Sequence, residues 1–153
     1  MNYWLMKSEP EEVSVDDALA APRRTVPWTG VRNYQARNFM RDQMRVGDGV
    51  LFYHSSCAEP GIVGIAEVAS TPYPDPTQFD RKSPYHDPKS QQESPRWTLV
   101  DVKVLRKTRN LTLPELRADP ALEGLLVLKK GNRLSITPVD PAHWRHILKL
   151  LDA

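Results

Sequence analysis

The chain has a single cysteine, Cys57, among 153 residues, so it can close no internal disulfide and build no four-cysteine zinc site. No run approaches the ~20 consecutive apolar residues that cross a bilayer. The opening MNYWLMKSEPEE also lacks the basic, apolar and small-residue blocks of a secretory signal. The expectation is a cytoplasmic protein, nuclear in a nucleated cell, with no membrane partner. Neither sign of charge dominates: 21 Lys and Arg face 19 Asp and Glu for a net of +2, which excludes a strongly basic or acidic chain. What is present, 40% hydrophobic and 26% charged residues, is a globular composition. The length suits one domain over 1–153, expected to be a monomer.

The near-neutral total conceals an uneven distribution. Residues 1–22 carry Lys7 against Glu9, Glu11, Glu12, Asp16 and Asp17, a net of −4, whereas residues 23–45 set Arg23, Arg24, Arg32, Arg37, Arg41 and Arg45 against Asp42 alone, a net of +5. Further basic clusters stand at Lys103, Arg106, Lys107 and Arg109, and at Lys129, Lys130 and Arg133. Such blocks form either a solvated surface or a positive face suited to phosphates.

Alternation around Tyr3, Leu5 and Lys7, stopped by Pro10, predicts an opening strand. Ser14 with Asp17 three residues on predicts a capped helix over about 15–20. A Pro-bounded loop follows. Asn33 then caps a longer helix that puts Ala36, Phe39, Met40 and Met44 on one face and Arg37, Arg41 and Arg45 on the next. The run Val50 to His54 and the segment Ile62 to Val68 predict an antiparallel hairpin. From Thr71 to Pro95 six prolines prevent ladder pairing and predict a long loop; its Tyr73, Phe79 and Tyr85 imply ordered contacts. A strand follows at Trp97 to Leu105, then a capping-box helix at Thr112, a second helix from Pro120 to Leu128, and a strand at Leu134 to Val139. Asp140 and Pro141 open a terminal helix with Trp144, Ile147, Leu148 and Leu151 toward the core. Short helices between unevenly spaced strands predict a mixed α+β fold.

Catalysis and metal binding have little to stand on. His54, Ser55, Ser56 and Cys57 are the only compact nucleophile set, yet consecutive strand residues face opposite ways, and no phosphate loop is present. His54 with Cys57, or His143 with His146, falls short of four metal donors. Neither a metal nor a cofactor is expected. Trp28 is the stronger lead, because it sits in a loop directly before the arginine-bearing helix, where an indole face can stack on a planar base; packing in the core is the alternative use.

Four blocks of the sequence, Tyr3-Trp4-Leu5-Met6-Lys7-Ser8-Glu9-Pro10, Trp28-Thr29-Gly30-Val31-Arg32-Asn33-Tyr34-Gln35-Ala36-Arg37-Asn38, Phe52-Tyr53-His54-Ser55 and Gly131-Asn132-Arg133-Leu134-Ser135, resemble the signature blocks of the EVE-domain family. The resemblance runs through the whole chain in order. It implies a PUA-like fold: a curved, partly closed mixed β-barrel with helices around it and one pocket at its side. EVE domains are similar to YTH domains, which hold a methylated adenine in an aromatic cage. The resemblance therefore implies non-catalytic binding of a modified base, such as a methylated or hydroxymethylated cytosine, in DNA or RNA.

By motif position, the resemblance makes Trp28 a cage wall, puts Ser8 and Glu9 at the base edge, Asn33 and Tyr34 at the pocket floor, and Tyr53, His54 and Ser55 along the central strand; Trp97 joins the same pocket. Lys7, Arg32 and Arg133 would meet flanking phosphate, with Arg37 and Arg41 attracting any nucleic acid. These residue types suit the task, since a flipped base needs a platform, a donor or acceptor pair for its edge and cations for its phosphate. Two other readings use the same pocket: an enzyme acting on a modified nucleotide with His54 or Glu9 as acid or base, and a module for a small molecule or a protein.

Overall fold

The fold was analysed in a computed structural model that describes residues 1–152. Strand β1 (Tyr3–Ser8) lies parallel to β3 (Gly49–His54), with Leu5 opposite Leu51, and β3 turns back antiparallel into β4 (Gly61–Val68). Outside β4 come β7 (Asp101–Thr112) and then β2 (Thr25–Pro27); on the other flank β8 (Ile136–Pro138) pairs antiparallel with β1. The resulting order, β2-β7-β4-β3-β1-β8, is one six-stranded mixed sheet that curls into a half-barrel, consistent with an α+β PUA-like fold. Among the described residues four α-helices surround it: α1 (Val15–Ala20), α2 (Tyr34–Asn38), α3 (Leu113–Ala118) and α4 (Pro141–Asp152).

Period-2 alternation divides the core between the two faces of this sheet. Trp4, Met6, Val50 and Phe52 point to the face covered by α1 and α2, and Leu5, Leu51 and Tyr53 to the face covered by α3 and α4. The terminal helix docks there through Trp144, Ile147 and Leu151, and the Trp144 indole stacks on Tyr3 at 4.5 Å. No helix among the described residues is long and apolar enough to cross a membrane.

Several expectations hold in detail. The Ser14 and Asp17 capping box opens α1, Asn33 caps α2 by accepting from the Ala36 amide at 3.0 Å, and Thr112 with Glu115 opens α3. Others are corrected. The helix after Asn33 does not run on as α: after Asn38 it widens into one π turn, Phe39–Gln43, closed by the Met44 amide on the Phe39 carbonyl at 2.9 Å. The wider turn ends with both Met40 and Met44 buried. The expected helix from Pro120 to Leu128 is two 3₁₀ turns, because Gly124 between them adopts a left-handed φ of +91° that breaks a continuous helix. The strand at Trp97 is split into β6 (Thr98–Leu99) and the longer β7. The supposedly strandless loop supplies β5 (Tyr73–Pro74), which pairs with β6. Prolines bar a long ladder but not a two-residue one at an edge.

Candidate nucleic-acid interface

The C-terminal end of β1 opens onto a cavity of about 630 Å³, within the ~300–1,000 Å³ range of ligand sites. Lys7, Ser8 and Glu9 lie along one side of it. The turn beyond them is fixed by its own bonds: the Ser8 hydroxyl donates to the Val13 carbonyl at 2.6 Å, and the Glu12 and Val13 amides donate to the Glu9 carbonyl. Ser55, where β3 ends, is drawn to the same place by its amide on the Ser8 carbonyl at 3.0 Å. The parallel pairing of β1 with β3 thus brings Ser8 and Ser55, far apart in sequence, to one rim. Arg133 and Ser135 close the side next to Lys7.

The opposite wall is the segment Trp28 to Arg32, and a buried carboxylate holds it. Asp75, 1% exposed in its side chain, accepts from the Gly30 amide at 2.9 Å, the Arg32 guanidinium at 3.1 Å, and both the amide and hydroxyl of Thr77. Burial pushes its pKa up, but the bonds from Thr77, Gly30 and Arg32 outweigh burial and hold it below the usual carboxylate value. Gly30 has φ +86°, and a Cβ there would stand 2.7 Å from the Tyr85 ring, so both backbone and space demand glycine. Tyr85 reaches across the opening and donates its hydroxyl to the Glu12 carboxylate; burial and that bond raise its pKa to about 12. The long loop therefore supplies part of the wall.

Trp28 differs from the free-standing plate that was expected. Only 6% of it is exposed; it belongs to the core cluster and meets Phe52 edge-on at 5.3 Å. It nevertheless lines the cavity, so the indole is a fixed wall with a hollow beside it.

The fourteen residues expected at the site fall into two groups. Lys7, Ser8, Glu9, Trp28, Arg32, Ser55 and Arg133 line the cavity. Asn33, Tyr34, Tyr53, His54, Trp97, Arg37 and Arg41 do not, and each has a visible structural task. Asn33 caps α2. Tyr34, 51% exposed, stacks on Trp97 at 4.8 Å, and the Trp97 indole donates to Asp87 at 2.8 Å. Tyr53 is buried on the other face of the sheet, as alternation with Phe52 requires. His54 accepts the Val15 amide on Nε2 at 3.1 Å, joining β3 to the start of α1, and burial lowers its pKa. Arg37 lies over the Tyr34 ring and donates to Asn38 and the Arg96 carbonyl, and Arg41 pairs with Asp42.

Arg32 lines the hollow, but its five N–H groups are all engaged: by the Tyr85 carbonyl twice, the Val31 carbonyl, Asp75 and Thr77. It fastens the wall and has no donor left over. Lys7 and Arg133 form no ion pair among the described residues, and burial pushes the Lys7 ammonium below its ordinary pKa. Among the lining residues that sequence reasoning missed are Glu12, Thr77 and Tyr85. Only Tyr85 left a signal, as an aromatic inside a polar loop.

The EVE domain family matches residues 2–150. Thymocyte nuclear protein 1 of Mus musculus is 42% identical over 166 residues, covering 97% of this chain and 73% of that protein. Among solved structures, a protein from Pseudomonas putida is 47% identical with a TM-score of 0.91, covering 97% of this chain and 98% of its own. The human THYN1 protein in complex with 5-methylcytosine containing DNA is 39% identical with a TM-score of 0.93, covering 100% and 99%. With its fold, its blocks and these relatives in agreement, the chain belongs to the EVE domain family.

Proposed function

We propose that the chain is a non-catalytic reader that takes a modified cytosine, turned out of DNA, into the cavity beside Trp28. The observation that carries this reading is one hollow holding an indole wall, a carboxylate edge and two cations that form no ion pair among the described residues, in a chain that superimposes on human THYN1, whose structure is a complex with 5-methylcytosine containing DNA. Glu9 is suited to accept from the exocyclic amino group of cytosine, and Ser8 and Ser55 add hydroxyls at the rim. Extrusion costs a few kcal/mol. Stacking at about 1–3 kcal/mol per base and hydrogen bonds to charged groups at about 1.5–3 kcal/mol offset that cost. Lys7 and Arg133, which line the cavity, are the cations suited to the phosphate beside the extruded base.

A binder rather than an enzyme is favoured by the position of His54. The histidine best placed in sequence to act as acid or base bonds the Val15 amide and does not line the cavity.

The test is a titration of the protein with two duplexes that differ only in one 5-methylcytosine, read by fluorescence anisotropy. Wild type is expected to prefer the methylated duplex, and Glu9→Gln to lose that preference while its affinity for the unmodified duplex stays the same. Trp28→Phe, which leaves an aromatic ring at this position, tests the wall. Trp28→Ala would confound binding with loss of fold, because removing a core tryptophan costs about 3–5 kcal/mol. Equal affinity of wild type for both duplexes overturns the reading.

A further inference from the structure

The base cavity continues into a second groove, of about 570 Å³, which shares Lys7, Ser55 and Ser56 with it. This groove runs between the end of β3 and the segment 127–132, past α3. Four cations line it, Lys7, Arg117, Lys129 and Lys130, and no carboxylate does. None of the four forms an ion pair among the described residues. Arg133 stands on the cavity side of the same turn. In a chain of almost balanced charge, a groove lined by four cations and no carboxylate, with Asp119 and Glu123 in the neighbouring hollow instead, is a local field set for an anion longer than a single phosphate.

We infer that this groove is the path of the DNA strand that flanks the extruded base, with Lys7 at the first phosphate and Arg117, Lys129 and Lys130 at the phosphates beyond it. The inference rests on the base cavity and names three cations, Arg117, Lys129 and Lys130, that the motif blocks did not. It moves the phosphate contacts away from Arg32, Arg37 and Arg41, whose guanidinium groups are held by the protein itself, to the side of the cavity where cations stand unengaged. Phosphate contacts along this path add affinity, salt dependence and orientation, and leave the choice of base to the cavity.

The strand path and the base cavity are separable by experiment. Dissociation constants for a methylated and an unmodified duplex are measured across a series of salt concentrations for wild type, for Lys129→Gln with Lys130→Gln, for Arg117→Gln, and for a charge-matched control, Arg145→Gln with Lys149→Gln on the exposed side of α4. Each phosphate contact contributes about 0.9 to the slope of log K against log salt on duplex DNA. The double variant is expected to flatten the slope by about 2 and Arg117→Gln by about 1 on both duplexes. The control should leave the slope unchanged, and the ratio between methylated and unmodified affinities should be kept in every variant. A wild-type slope retained by both groove variants overturns the path, as does a slope that falls on single-stranded RNA of the same sequence but not on DNA. Failure of the base reading would look different: wild type would show no preference for the methylated duplex, while the slopes on unmodified DNA would still report the groove.

Discussion

Residues 32–45 carry four arginines, and all four are engaged by the protein itself; the turn at 129–133 carries three cations, and none of them forms an ion pair among the described residues. Arg32 has all five donors on protein acceptors, Arg37 lies over Tyr34 with bonds to Asn38 and Arg96, Arg41 pairs with Asp42, and Arg45 donates to the Asp42 and Met44 carbonyls. Lys129, Lys130 and Arg133 form no ion pair among the described residues. The difference is one of place. A guanidinium with a planar fork that lies among carbonyls and carboxylates becomes a fastener, whereas the Lys129 and Lys130 ammonium groups and the Arg133 guanidinium, on an exposed turn, stay ready for an external anion. Charge that sequence can count becomes charge that a partner can use only where the fold leaves it without acceptors.

The sharpest way to break this contrast is at Asp75. Asp75→Ala strands Arg32 and the Gly30 amide, and the expected loss is on the order of 3 kcal/mol in urea unfolding, since breaking a buried pair leaves its partners unsatisfied. Because the folded pKa of Asp75 lies below its unfolded value of ~3.9, its contribution is full above that value and fades as pH falls through and below it. The variant should lack that acid-side loss. An unfolding curve like that of wild type would show that the arginine-rich side is not fastened as described.

Gly30→Ala comes next. With φ +86° and Tyr85 2.7 Å from the new Cβ, it should cost about 1–3 kcal/mol by the same measurement and weaken binding to methylated DNA through displacement of the wall. His54→Gln is smaller and depends on pH. Burial lowers the folded pKa of His54, so its neutral form stabilises the protein fully above ~6.5, the unfolded value, and that stability is lost as pH falls from there. Wild type should therefore lose stability more steeply than the variant on going from pH 7 to pH 5 in thermal melts. Smallest in stability is the pair Arg41→Gln and Lys129→Gln: neither should move the urea midpoint, and only Lys129→Gln should weaken binding to unmodified DNA. Equal binding losses in both would erase the contrast.

Much of the scaffold was legible because it follows local rules. The capping boxes at Ser14 and Thr112, the aromatic and β-branched run into His54, and the proline-led terminal helix each state their own geometry. The π turn after Asn38 and the 3₁₀ turns around Gly124 were not legible, since both depend on how the chain must bend to bury Met44 or Leu125. At the candidate site, the end of β1 could be read from its motif because it lies on a regular strand. Tyr34, Tyr53 and His54 could not be placed: residues next to one another in a strand part to opposite faces, and an exposed aromatic at a helix start found Trp97 instead of the hollow. Glu12 and Tyr85 meet across 73 residues of sequence, a contact that no local pattern announces.

The most direct measurement places 2-aminopurine next to a single 5-methylcytosine in a duplex and follows its fluorescence as the protein is added. If the base leaves the helix for the cavity beside Trp28, the signal rises as the neighbour loses its stacking partner, stays low on the unmodified duplex, and stays low with Glu9→Gln at a concentration that saturates binding. A flat signal on the methylated duplex with wild type fully bound would contradict the account.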